Sequence, residues 1–189
     1  MTADPSLRLF AAVELPEEIR AAVLDLMAPF RDLAGFRWTP AENLHPTLAF
    51  LGWVRPEQVD EVTARLAGAA ADVVPFEARL GGAGGFPEHG KARVLWVGFD
   101  DDGQLASLAG AVRAALGELF GPDERPFRPH VTVARALRPH RVRLDVEPRG
   151  GPAFHVGAIT LFRSRLGGEH ARYDALERWP LGARPARIP

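Results

Sequence analysis

Twice along this chain a strand-like apolar run leads into a helix-like segment and then into a second strand-like run that opens on histidine. The first copy is RLFAAVEL (8–15), a helix over 15–30, and NLHPTLAFLGWV (43–54). The second is RVLWVGFD (93–100), a helix over 103–120, and FRPHVTVARAL (127–137). Strands that feed helices and return predict an α+β fold with helices outside two sheets. The similarity between the copies is architectural rather than residue by residue. It predicts a pseudo-twofold repeat within one bilobal domain spanning residues 1–189.

Local signals support this segmentation. In the 15–30 helix Pro16 sits at the start, where a missing N–H costs nothing, and Glu17 and Glu18 suit the positive end of the helix dipole. Ile19, Val23, Leu26 and Phe30 recur at helical spacing. A second proline-led helix is expected over 56–73. The stretch 75–100 reads as a strand, a turn at Gly81–Gly85 and a strong strand. A short strand over 141–146, a long one over 151–166, a last one over 171–181 and a loose tail from 184 complete the expectation.

Composition narrows the chemistry. The absence of cysteine excludes disulfides, thiolate nucleophiles and cysteine metal sites. No apolar run reaches eighteen residues, so no membrane span is expected. MTADPSLRLF lacks a basic region followed by an apolar stretch, so no signal peptide is expected and the cytoplasm is the default location. The net charge of −1 makes the whole molecule no trap for polyanions. Arginines at 125, 128, 135, 138, 141, 143 and 149 nevertheless face only Asp145 and Glu147 in that stretch. That cluster can meet phosphates, or it reflects a chain with 22 arginines and one lysine.

The chemistry concentrates in His45-Pro46-Thr47-Leu48 and His130-Val131-Thr132-Val133. Six histidines and six threonines in this length give roughly 0.2 His-x-Thr spacings by chance, yet two occur, in matching places. Alternation along a strand puts His45 with Thr47, and His130 with Thr132, on one face, while Pro46, Leu48, Val131 and Val133 anchor the other. Each histidine alone reads as an ordinary strand residue; the pair reads as function. An imidazole titrating near 6.5 takes or gives a proton at neutral pH. Displacement at phosphorus needs one group to draw a proton from water and another, on the opposite side, to protonate the departing oxygen. Threonine hydroxyls can donate to the non-bridging oxygens as charge builds there.

A metal centre would want three or more ligands. Near the histidines the only acids are Glu42, Asp123 and Glu124, and neither His-x-His nor His-Glu-x-x-His occurs. No metal and no cofactor is expected. Arg128 and Arg135 flank the second motif and are candidate phosphate contacts, although alternation turns Arg135 away from the His130 face. Phe10 and Trp38 are candidates for base stacking or, more simply, packing; Tyr173 is a candidate cleft residue. His89, His140, His155 and His170 lack a threonine partner and read as surface or packing residues.

These residues carry a resemblance that runs along nearly the whole chain. RLFAAVELP, Trp38 with NLHPTLAFLG, GGFP (84–87), VLWVG (94–98), PFRPHVTVAR (126–135) and LFRSRL (161–166), ending at Tyr173, are similar to the 2H phosphoesterases. They resemble most the RNA 2′,3′-cyclic phosphodiesterases once called 2′-5′ RNA ligases. The resemblance implies two antiparallel sheets around a central cleft, His45 as proton donor to the leaving group and His130 as proton acceptor from water. It implies as partner an RNA or oligonucleotide with a 2′,3′-cyclic phosphate end, hydrolysed to a 2′-phosphomonoester, with no membrane or protein partner and a monomeric enzyme. Ligation of tRNA halves by the reverse reaction, or a non-catalytic nucleotide-binding module, stays open at this point.

Overall fold

A computed structural model describes residues 6–88, 90–121, 126–144, 146, 150–168 and 170–183. The strands are β1 (Leu7–Ala12), β2 (Phe36–Trp38), β3 (Thr47–Val54), β4 (Phe76–Phe86), β5 (Lys91–Asp100), β6 (His130–Arg141), β7 (Ala153–Val156), β8 (Ala158–Arg165) and β9 (Arg172–Pro180). The helices are α1 (Glu17–Met27), α2 (Pro56–Ala71) and α3 (Gln104–Phe120). Two antiparallel sheets form, one ordered β3-β1-β8-β9 and the other β2-β6-β5-β4-β7. The α+β class is as read. In each sheet the strand that carries a His-x-Thr motif pairs with the strand preceding the helix: β3 with β1, and β6 with β5.

Helices α2 and α3 pack on each other and bridge the sheets, α2 against β8 and β9, α3 against β3 and β4. Their apolar stripes are fully removed from solvent at Val62, Leu66, Leu105, Leu108 and Val112, which places the core behind both sheets. Asp101 caps α3: its carboxylate accepts the Leu105 N–H at 2.5 Å and the Gly103 N–H at 3.2 Å.

Several boundaries differ from the expectation. His45 precedes β3 rather than lying within it, after a 3-10 turn at Ala41–Asn43. The predicted strand over 141–146 is absent at Val142, Arg143 and Leu144; β6 ends at Arg141, and Asp145 lies outside the described residues, as does the tail from 184. The predicted 151–166 strand is two strands in two sheets. β7 pairs with β4 and β8 with β1, and the chain changes sheets at Gly157. An unbroken apolar run hides such a crossover, because both parts are equally buried.

The glycines at 81–85 are not a turn. They continue β4, and the turn falls after Phe86. The reason is Trp96 on β5. Gly84 is its register partner, and a Cβ on Gly84 would stand 2.3 Å from Trp96 Cζ2. At Gly85 a Cβ would lie 2.8 Å from Ala92 Cβ. The strand gives up side chains so that the indole can lie across it.

Gly84→Ala is therefore expected to destabilise the fold by roughly 1–3 kcal/mol, the usual cost of overpacking. Pairing it with Trp96→Leu should recover most of that loss in urea unfolding. Additive losses in the double variant would sink this account of the glycines.

Candidate active site

The two motifs meet. Pro46 and Val131, the middle residues of His-Pro-Thr and His-Val-Thr, form an antiparallel bridge between the sheets. Proline has no N–H, so the bonds of such a pair fall to its flanking residues. The Pro46 carbonyl instead accepts the Val13 N–H at 3.1 Å, tying the end of β1 to the same point. Pro46 and Val131 are buried, while His45, Thr47, His130 and Thr132 alternate to the other side, partly buried. Antiparallel geometry sets His45 beside Thr132 and Thr47 beside His130. The two histidines become diagonal neighbours, at a typical Cα spacing of about 7–8 Å.

A second device repeats in both sheets. In β3 the register with β1 jumps between Thr47 and Ala49, leaving Leu48 as an extra residue; in β6 the register with β5 jumps between Thr132 and Ala134, leaving Val133. Each bulge lets two successive residues face the core: Leu48 with Ala49, and Val133 with Ala134. Parity then inverts. Phe50 and Arg135, each three residues after its threonine, turn to the His/Thr face. This corrects the expectation that alternation points Arg135 away. Its Nη2 lies 3.4 Å from Thr132 Oγ1, within the groove.

The groove has two hollows that share Thr47, Phe50, Thr132 and Arg135 as walls. One, of about 420 Å³, holds His45. The other, of about 900 Å³, holds His130. His45 lies flat on Phe10, ring centroids 4.8 Å apart, with the Tyr173 ring edge-on at 5.3 Å. Phe86 meets the His130 ring edge-on at 5.1 Å. His130 Nδ1 is 2.7 Å from the Arg128 carbonyl, which can only accept, so Nδ1 carries the proton and Nε2 of the neutral ring offers a lone pair.

Burial pushes His45 down to about 4; a hydrogen bond to the Asn43 backbone opposes this, and the Arg135 and His130 charges add to the fall. His130 is lowered too, by burial first, against its bond to the Arg128 backbone and with the Arg135 and Arg128 charges adding. Arg135 acts on both rings. Both imidazoles are neutral at neutral pH.

Residues 14–168 match the model of the 2′-5′ RNA ligase superfamily. The chain belongs to that superfamily. It is 35% identical, over 93% of its own length and 90% of the relative's, to a Thermus thermophilus protein named RNA 2′,3′-cyclic phosphodiesterase. A crystal structure of a Thermus thermophilus protein superposes with a TM-score of 0.83 at 35% identity, covering 93% of this chain and 98% of that one. Escherichia coli LigT crystallised with 3′-AMP superposes with a TM-score of 0.80 at 30% identity, with the same coverage.

Within this superfamily frame the other candidate residues separate. The Arg128 guanidinium is paired with Glu88 and lies over Trp96, so Arg128 acts on His130 both through its carbonyl and through its charge. Phe10 is 3% exposed and supports His45. Trp38 packs beneath Arg31 on β2. Tyr173 does face the cleft, beside Asn43, whose side chain donates to the Ala171 carbonyl at 2.8 Å. His140 packs on Phe36, His155 pairs with Glu77 at the surface, and His170 lines a hollow adjoining the cleft. His89 lies outside the described residues. Among the described residues no three His, Cys, Asp or Glu side chains converge on one point, and no helix is long and apolar enough to cross a membrane. The sequence reading passed over Asn43, Phe50 and Phe86. The match of HPTLAF to HVTVAR was the signal that would have paired Phe50 with Arg135.

The unfolded chain binds a proton at His45 near pH 6.5 and the folded chain only near 4. The stability contribution is therefore full above 6.5 and is lost progressively as pH falls from there to about 4. His45→Asn should flatten that acid slope in urea titrations at stepped pH. Arg135→Ala should raise the midpoints of both histidine rings, read by NMR; unmoved midpoints would remove Arg135 from the electrostatics of the groove.

Proposed function

We propose that the chain is an RNA 2′,3′-cyclic phosphodiesterase, opening terminal cyclic phosphates to 2′-phosphomonoesters with two histidines and no metal. The observation that carries this reading is the Pro46–Val131 bridge, which gathers His45, Thr47, His130 and Thr132 at one groove with Arg135 among them. The name of the Thermus relative and the 3′-AMP held by LigT support it. Residues 1–189 then act as one bilobal unit whose site needs no second copy, because both motifs come from one chain.

The cyclic phosphate sits among the four motif side chains, with Thr47, Thr132 and Arg135 donating to its non-bridging oxygens. His130 Nε2 takes a proton from water as the water oxygen attacks phosphorus. The bond from phosphorus to O3′ breaks on the opposite side, and His45 gives its proton to that oxygen. The 2′ ester remains. His130 ends protonated and His45 neutral, and exchange with solvent resets both. Arriving phosphate supplies the negative charge that offsets Arg135 and favours the His45 imidazolium. The acid is thus armed by its substrate. Imidazoles, hydroxyls and a guanidinium supply every proton and charge this reaction needs.

His45→Ala and His130→Ala should each lower kcat by roughly 10²–10⁴ on an oligonucleotide with a cyclic phosphate end. Thr47→Val or Thr132→Val should cost on the order of 10²-fold. Wild-type turnover should persist in EDTA. Because both rings are lowered from 6.5 in the protein itself, both limbs of kcat/KM against pH should fall on the acid side of 6.5. The kcat limbs should lie higher, since bound phosphate raises His45. Full turnover in both histidine variants would refute the mechanism.

A further inference from the structure

Each bulge leaves a carbonyl outside its own ladder. Leu48 has no register partner on β1, and Val133 has none on β5. Both are shut off from solvent, at 0% and 2% exposure, so their backbone groups need partners inside the protein. The two sheets meet that need differently. The Val133 carbonyl accepts the Thr39 N–H at 2.8 Å, a main-chain bond just past β2. The Leu48 carbonyl accepts Nε–H of Arg113 at 3.2 Å, from a side chain on α3. β3 lies at the edge of its sheet, and this donor comes from outside the sheet.

Arg113 is itself held in place. Its guanidinium lies over the Phe127 ring, 4.8 Å from the centroid. Leu48 follows Thr47 directly, and Phe127 stands three residues before His130. One side chain thus ties the strand leaving the first motif to the segment entering the second. Arg113 is partly buried and lines the hollow that holds His130. The opposite corner, His45 with Thr132, is held by main chain: Thr39 to Val133, and the Asn43 backbone to His45.

We infer that Arg113 is a positioning residue for the reaction: its bond to the Leu48 carbonyl pins the β3 bulge, and the pinned bulge aims the Thr47 hydroxyl at the phosphate. The inference rests on the functional reading above and adds a residue outside both motifs. Without that bond the extra residue can shift to a neighbouring position on β3, and each shift re-aims the side chains beside it. Arg113 acts through the backbone, not on the reacting atoms.

The test is a double-mutant cycle on an oligonucleotide with a cyclic phosphate end. Arg113→Met keeps an unbranched stem and removes the donor. It should lower kcat roughly 10- to 100-fold, with KM changed much less, as a misplaced group does. In a Thr47→Val background the same change should cost only about twofold, the usual error of additivity. In a Thr132→Val background it should keep its full cost. Arg113→Lys retains charge but loses the planar fork and its stacking, so it should behave like Arg113→Met. Circular dichroism melts check folding; if Arg113→Met melts early, the lysine variant carries the cycle. Full additivity with Thr47→Val would overturn the inference. So would kcat restored by lysine, which marks a charge acting directly on substrate. NMR of the Thr47 methyl gives a readout free of turnover: Arg113→Met should shift and broaden it and leave the Thr132 methyl in place. An unmoved Thr47 methyl, with wild-type hydrolysis intact, would overturn the inference alone. A displaced methyl in a protein whose wild type opens no cyclic end would overturn the catalytic reading and keep the tie between Arg113 and Thr47.

Discussion

One contact between the sheets determines the geometry of everything in the groove: the pairing of Pro46 with Val131. Two strands that meet antiparallel at one residue pair must present their flanking residues to the same side. That rule alone converts two separate His-x-Thr triplets into a four-sided constellation. Proline suits the joint because its fixed φ and missing N–H fit a pair whose bonds fall to its neighbours, and its carbonyl still serves β1 through Val13. The joint is held from behind, since Leu48, Val131 and Val133 beside it are at most 2% exposed. A slip of one residue in this pairing would turn both histidines into the core.

The electrostatics follow from the same enclosure. Desolvation is the first cause of the fall at both imidazoles, and one guanidinium adds to both. Neutral rings avoid three like charges in a small space. An anion bound among these groups would relax that arrangement, because its charge offsets the guanidinium.

Much of this was legible in the residues, and the limits have physical causes. Most of the order of strands and helices followed from periodicity and from prolines at helix starts, but the three-residue β2 was not expected and the strand expected over 141–146 is absent at Val142, Arg143 and Leu144. The His and Thr pairs followed from spacing, and the bridge brought together the four residues that spacing had singled out. Strict alternation failed after Thr132, because a bulge adds one residue and inverts the faces; Arg135 was assigned the wrong side for that reason. No local signal marks Val133 as extra, since Val-Ala reads as well in a regular strand. The glycines at 81–85 read as a turn because their need for space comes from Trp96, on a different strand. The change of sheet at Gly157 was invisible for a similar reason: the apolar run is continuous, and only the partners differ.

A groove assembled from two copies of one strand pair starts with a degeneracy. If the copies were identical, a ligand could enter in either of two orientations related by rotation, and neither histidine would have a fixed assignment. The bulges place one unlike pair, Phe50 and Arg135, at corresponding corners. With a ring at one corner and a cation at the other, the groove acquires a head and a tail. The side chain at one repeated position thereby adds to the polarity of a scaffold whose halves share an architecture.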